Sequence, residues 1–264
     1  MPKTEQINLT INELIATLAL CGYDKMASQI LNEQELIKDE SEFTRFVEET
    51  ETELRKKGYW DDNRDTGIAK GLEDLLYLLV HSKKKIRCIN MRKRNALLIH
   101  SLNKKHSLVQ EVRGREHAFA FHQNNQGFYD VIREHFGMED TEINVDGWQP
   151  IRMTDDLVDE LHTSEPEVLL AMKQDENLAQ PLRDFADDFL KNGQEFNNIS
   201  LLESDYVKDQ SEFAEIQFLL PGNNFVWHMN YENVDKNHEV ILEPIPVKTY
   251  FKQIESVLKE FFFE

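Results

Sequence analysis

The fold is decided between residues 83 and 136, which read KKKIRCINMRKRNALLIHSLNKKHSLVQEVRGREHAFAFHQNNQGFYDVIREHF. Four runs in this stretch have the composition and length of strands: Lys85–Met91, Asn95–Ser101, Ser107–Arg113 and His117–Gln123. The breaks between the runs are as short as hairpin turns, so the simplest arrangement is an antiparallel meander. A closing helix follows and ends at Gly137, with an apolar face of Phe128, Tyr129, Ile132 and Phe136.

Three helices are predicted before this block. The first starts at Thr10 and Glu13, which have the spacing of a capping box, and ends near Gly22. The second runs from about Ser41 to Gly58, and its inward face consists of Phe43, Phe46, Val47, Thr50 and Leu54. The third buries Leu72, Leu75, Leu76 and Leu79.

The same order of elements repeats in the second half of the chain. Met153–Leu157 resembles Leu9–Glu13, and Ser164–Glu167 has the pattern of a further capping box. Strands are predicted over Ile199–Asp205, Glu212–Leu220, Asn224–Tyr231 and Glu239–Glu243. A last helix starts at Val247, and its pattern Tyr250-Phe251-x-x-Ile254 matches that of Phe128-Tyr129-x-x-Ile132.

The expected fold class is therefore α+β. It is a pseudo-two-fold duplicated unit of helices, a four-stranded antiparallel meander and a closing helix, arranged around a central sheet. The expected boundaries are an N-terminal half over 1–137, an acidic linker over 138–150 and a C-terminal half over 151–264, within one integrated domain. Phe225, Trp227 and Met229 alternate with Val226 and His228, which favours a strand with helices on one side and a mixed opposite face.

Composition limits the classes of protein that remain. With 40% apolar and 30% charged residues, the 264-residue chain is typical of a soluble globular protein. It contains no apolar run of the length a membrane span needs, and its first ten residues lack a signal-peptide pattern. Cys21 and Cys88 are expected to be reduced packing residues, which favours the cytoplasm.

Positive charge is concentrated in residues 83–115, which hold eleven Lys or Arg and one acid, Glu111, in a chain of net charge −19. This block either matches acidic residues of the same chain or faces an acidic partner. Nucleic acid is a weaker alternative, because stacking aromatic residues do not alternate with the positive charges. The exposed candidates for a partner are the turn of Arg92, Lys93 and Arg94 and the loop Leu102–His106.

No pattern for catalysis, a cofactor or a metal is present. The sequence lacks G-x-S-x-G, H-E-x-x-H and a glycine-rich phosphate loop. Four histidines, His100, His106, His117 and His122, lie in the strand block without metal-ligand spacing. We therefore expect a protein that is not an enzyme and has no cofactor or metal.

The order of elements resembles the EspG-like chaperones of type VII (ESX) secretion systems. The segments that carry the resemblance are LTINELIATL, LEDLLYLLVH and EPIPVKTYFKQIESVLKEF. The resemblance implies a quasi-two-fold α+β fold and a cytoplasmic adaptor that keeps a helical secreted protein soluble before export. The partner would be a WXG- or LXG-type or PE/PPE-like protein, with no role for nucleic acid or membrane.

By position in that family, the partner-binding loop corresponds to Asn103, Lys104, Lys105 and His106. The end of the terminal helix, with Phe261 and Phe262, is a second candidate. The alternative function is an acidic immunity protein that inhibits a cognate toxin by stoichiometric binding. Nucleic-acid binding and an enzyme with a dispersed site are the remaining hypotheses.

Overall fold

The computed structural model describes residues 6–33, 40–140, 149–208, 210–231 and 234–263. These residues form a mixed α/β structure built on one antiparallel sheet of ten strands. The strands are β1 (Ile7–Thr10), β2 (Lys84–Asn90), β3 (Asn95–Ser101), β4 (His106–Arg113), β5 (Glu116–Gln123), β6 (Ile151–Thr154), β7 (Asn197–Asp205), β8 (Gln210–Pro221), β9 (Phe225–Asn230) and β10 (Glu239–Pro246).

Helices lie on both faces of this sheet. They are α1 (Ile11–Leu20), α2 (Asp24–Glu33), α3 (Glu40–Lys56), α4 (Lys70–His81), α5 (Tyr129–Phe136), α6 (Asp155–Thr163), α7 (Pro166–Gln174), α8 (Gln180–Lys191), α9 (Val234–Asn237) and α10 (Val247–Phe263). A short 3-10 turn, Asn124–Gln126, precedes α5.

Strand order across the sheet is β1-β5-β4-β3-β2-β7-β8-β9-β10-β6. The two halves of the chain meet at β2 and β7, which pair antiparallel from Lys84↔Glu203 to Ile89↔Asn198. The sheet is therefore continuous through the boundary between the halves, and its first and last strands are the short strands β1 and β6.

One face of the sheet is covered by α5 and α10. Ile86 and Cys88 of β2 and Ile199 and Leu201 of β7 share a buried cluster with both helices. Since α5 comes from the first half and α10 from the second, this cluster joins the halves by burial of apolar surface.

The opposite face carries two separate helical layers. Helices α1 to α4 pack over the first half, around Leu108 and Phe119, and α6 to α8 pack over the second half, around Trp227. At β9, Val226 faces the α5–α10 side whereas Phe225 and Trp227 face α8. The prediction of a mixed, uncovered face at this strand is wrong, because helices cover both sides.

Most local predictions agree with the structure. The eight predicted strands correspond to β2–β5 and β7–β10, with ends that differ by up to three residues. The capping box of α1 is present, with Thr10 and Glu13 exchanging hydrogen bonds. The prediction of a second capping box at Ser164–Glu167 is wrong. The N-cap of α7 is Glu165, whose side chain makes no capping hydrogen bond, and the Ser164 hydroxyl donates to the Leu161 carbonyl instead.

Four elements are absent from the prediction: β1, β6, α2 and α9. Both missed strands have four residues and lead directly into a Thr-capped helix, so the capping signal masks the strand. Most of the predicted linker, 141–148, and the side chains of Phe43 and Val47 lie outside the described residues.

Candidate partner-binding surfaces

The predicted cationic residues lie at opposite ends of the β2–β3 hairpin. The turn with Arg92, Lys93 and Arg94 connects the two strands. The loop of Asn103, Lys104 and Lys105 leaves the far end of β3. Since β3 has seven residues, the two cationic groups are separated by roughly 20 Å along the strand. They therefore belong to two surfaces, which we call the loop end and the turn end of the sheet.

At the loop end, the backbone of the cationic loop is held by a set of asparagine contacts. The Asn103 Oδ1 atom accepts from the backbone N–H groups of Lys105 (2.8 Å) and His106 (3.0 Å). Asn124 donates its side-chain Nδ2 to the Asn103 carbonyl (3.0 Å) and its backbone N–H to the Lys105 carbonyl (2.8 Å). Ser107 Oγ donates to Asn124 Oδ1 (2.8 Å) and fixes the orientation of that amide.

The side chains of this loop remain available. Lys104, Lys105 and His106 are exposed, and the ammonium group of neither lysine has a hydrogen bond or ion pair with another described residue. The loop therefore presents two ammonium groups from an ordered backbone, in a protein whose net charge is −19.

The C-terminal end of α10 lies at this same end of the sheet. Lys84, the first residue of β2, donates its Nζ atom to the Phe261 carbonyl (2.6 Å) and lies 5.1 Å from the Phe261 ring centroid. Phe262 packs edge-on against Phe128, with 5.7 Å between ring centroids. Phe128 follows the 3-10 turn that contains Asn124, so the turn connects α10 to the loop.

Phe262 does not belong to the surface. Its side chain is 8% exposed and packs in the buried cluster of α5 and α10, so its assignment as a partner-binding residue is wrong. Phe261 and Phe263 are half-buried. Three consecutive phenylalanines are accommodated because the last turn of α10 packs on the sheet and on Phe128.

At the turn end, a groove of about 950 Å³ lies between the two halves. Arg92 and Lys93 line one wall, whereas Asp184, Asp187 and Asp188 of α8 line the other. Asp187 bonds lysines of its own half, Lys173 and Lys191, each at 2.8 Å. Arg94 is exposed and has positive φ (49°) in the same turn.

Asp188 is the unusual acid of this groove. The Trp227 indole Nε1–H donates to its Oδ2 atom at 3.1 Å, and the residue is 8% exposed. Burial raises the pKa of Asp188 to about 6, although the Trp227 hydrogen bond and Lys191 favour the charged form. No sequence pattern indicates this pair, because its two residues are 39 positions apart on different elements, α8 and β9.

Among the described residues, no direct ion pair joins the basic block to the second half of the chain. In the described part of the chain, its acidic contact is local, between Arg113 and Glu111 at 2.6 Å, and Arg115 bonds Asn12. Lys84 is the cross-strand neighbour of Glu203, but its ammonium bonds the Phe261 carbonyl instead. The expected match between the halves is thus limited to opposite charges that line the same groove.

The histidines of the strand block do not form a metal site. His100 and His117 each bond Gln110, at 3.0 and 2.8 Å, in a buried row across β3, β4 and β5. Burial lowers the pKa of His100 to about 3 and also lowers that of His117, which favours the neutral form of both rings. Among the described residues, no group of three or more His, Cys, Asp or Glu is placed to hold a metal ion.

No protein-family model matches this chain, and no curated protein matches it. None of the helices in the described ranges has the length and apolar character that a membrane span requires.

Proposed function

We propose that this protein is an adaptor without enzymatic activity that binds another protein through the loop end of its sheet. The observation that carries the proposal is the cationic loop. The side chains of Lys104 and Lys105 are exposed and their ammonium groups have no partner among the described residues, while hydrogen bonds of Asn103 and Asn124 fix the loop backbone. A fixed loop loses little conformational entropy on binding, which favours a role in recognition.

The partner that fits this loop has an acidic surface. Two exposed ammonium groups guide encounter and orient a complex more than they add affinity. The half-buried Phe261, beside Lys84, supplies apolar area at the same end of the sheet. An α-helix with acids on one stripe and apolar residues beside them meets both requirements.

The narrower proposal is a cytoplasmic chaperone that keeps a helical type VII secretion substrate soluble for export, by resemblance to the EspG-like family. Cys21 and Cys88 are both free thiols, which agrees with a reducing compartment.

Two features support the quasi-two-fold duplication that this family would imply. The strand order, β1-β5-β4-β3-β2 followed by β7-β8-β9-β10-β6, places corresponding elements at equal distances from the centre. Each edge strand also ends in a threonine, Thr10 or Thr154, that caps the next helix. We infer that the halves descend from one unit.

Affinity capture with matched variants tests the proposal. Wild-type protein, Lys104→Glu/Lys105→Glu and a control, Lys248→Glu/Lys252→Glu, are used as bait in cells that express the protein natively. The control makes the same charge change at exposed positions of α10. A helical protein captured by wild type and control but lost from the loop variant supports the proposal. Equal capture by all three contradicts it.

The same experiment distinguishes the proposed adaptor from the alternative function, an immunity protein. An immunity protein would capture a toxin domain whose activity disappears in the complex. A helical protein that aggregates when purified without its adaptor indicates a chaperone.

A further inference from the structure

Strand β8 has a neighbour on only one side along much of its length. It pairs with β7 from Asn197↔Leu219 to Asp205↔Gln210. Pairing with β9 covers only Phe218 to Pro221. No other described strand borders residues 210–217, so a sheet edge is open beside the middle of the molecule.

The direction of the backbone groups follows from the pairing. The Ser204 N–H donates to the Lys83 carbonyl at 2.7 Å. The backbone N–H and C=O groups of Ser204 therefore point toward β2, whereas those of its neighbours Glu203 and Asp205 point toward β8. Their partners Glu212 and Gln210 therefore point back to β7. Ser211 lies between these two residues and Phe213 follows them, so both direct their backbone N–H and C=O groups to the open side.

Tyr231 marks one end of this open edge. Its hydroxyl donates to the Ile216 carbonyl, so this carbonyl of β8, just beyond the segment paired with β9, already has a hydrogen-bond donor. Residues Gln210 to Glu215 remain, a stretch of roughly 20 Å that accommodates five or six residues of an added strand.

The two faces beside the open edge differ in chemistry. Glu212 and Glu215 pair with Glu203 and Leu201, and they share one face because the β7–β8 register shifts by one residue between Leu201 and Leu202. Neither of the two acids forms an ion pair with another described residue. On the other face, Phe213 is 51% exposed and the Arg87 guanidinium lies 5.1 Å from its ring centroid.

We propose that the open edge of β8, Gln210–Glu215, binds an extended peptide segment of a partner protein by strand addition, and that this segment alternates basic and apolar side chains. The backbone supplies hydrogen bonds. The basic side chains meet Glu212 and Glu215, and the apolar ones pack on Phe213.

A second copy of this chain fits the edge poorly. Antiparallel pairing of two β8 edges keeps like faces together, so Glu212 of one copy would lie near Glu215 of the other. Like charges at these distances are destabilising. The proposal does not depend on the cationic loop, which lies between β3 and β4.

The probe is a seven-residue peptide of alternating lysine and valine with blocked ends, and its binding to the full chain is measured by fluorescence anisotropy. In an antiparallel complex, a peptide residue opposite Phe213 shares its face and directs its N–H to β8. The valines therefore donate to the edge and the lysine N–H groups point to solvent. N-methylation of the valines should weaken binding at least tenfold, whereas N-methylation of the lysines should change it less than threefold.

Protein variants provide the second arm. Glu212→Lys/Glu215→Lys should weaken binding at least tenfold, while Glu160→Lys/Glu167→Lys, at exposed sites on α6 and α7, should change it less than twofold. Lys104→Glu/Lys105→Glu should leave it unchanged, which separates this result from the adaptor test. The proposal is overturned if the peptide does not bind, if both methylated peptides bind alike, or if a glutamate–valine peptide binds as tightly.

Discussion

Asp188 shows how a single residue makes stability depend on pH. Its pKa of about 6 in the folded protein exceeds the ordinary value of 3.8, so the folded chain holds this proton more tightly than the unfolded chain. The stabilisation is fully present below about pH 4 and is lost as pH rises through 6. A tenfold change in an acid constant corresponds to about 1.4 kcal/mol, so the loss is about 3 kcal/mol at most.

Asp188→Asn should therefore raise the free energy of unfolding at pH 7 by about 1–3 kcal/mol. Asparagine keeps an oxygen that accepts from Trp227 and has no charge to bury. Urea denaturation at pH 4.5 and pH 7.5 measures the effect, with the exposed Asp159→Asn as control. A variant that is equally stable relative to wild type at both pH values would contradict the assignment.

In the last turn of α10, Phe262 packs in the core, whereas its neighbour Phe261 belongs to the proposed binding surface. Phe262→Ala should lower the free energy of unfolding by about 3 kcal/mol, because it opens a cavity in the cluster of α5 and α10. Phe261→Ala removes a half-buried ring beside Lys84 and should cost about 1 kcal/mol. Thermal denaturation compares the two; equal losses would show that the helix end packs differently.

At the scale of elements, one carboxylate connects the start of α1 to Lys57, the residue that follows α3. Glu13 Oε2 accepts from the Thr10 backbone N–H (2.6 Å) and from Lys57 Nζ (2.7 Å), and its side chain is 3% exposed. Glu13→Ala should lower the free energy of unfolding by about 2 kcal/mol, because a buried donor loses its acceptor. Glu51→Ala, which breaks the exposed pair with Arg55, should cost under about 0.5 kcal/mol. Chemical denaturation of both variants checks this ranking.

Elements were predictable where local chemistry decides them. The alternation in β2–β5, the capping box of Thr10 and the αL glycine at 137 each specify structure within a few residues. The Gln110 bridge between His100 and His117, the Asn124 support of the loop and the open edge of β8 were not predictable. Each depends on the lateral order of strands, which a sequence pattern does not encode.

At the scale of the whole molecule, the β2–β7 pairing and the shared α5–α10 cluster make the halves interdependent. Residues 1–137 alone would leave β2 as a free edge and lose the cover of α10, and residues 151–264 would lose the corresponding partners of β7. We expect each half to lack a cooperative thermal transition by circular dichroism, and co-expression to restore one. Two halves that each unfold cooperatively on their own would contradict an integrated sheet.

The central claim, that a partner binds at the loop end of the sheet, is tested most directly by hydrogen–deuterium exchange of the purified complex. Residues 102–107 and the end of α10 should be protected relative to the free protein, with little change at the turn Met91–Arg94. Unchanged exchange at 102–107, with protection at the turn end instead, would contradict it.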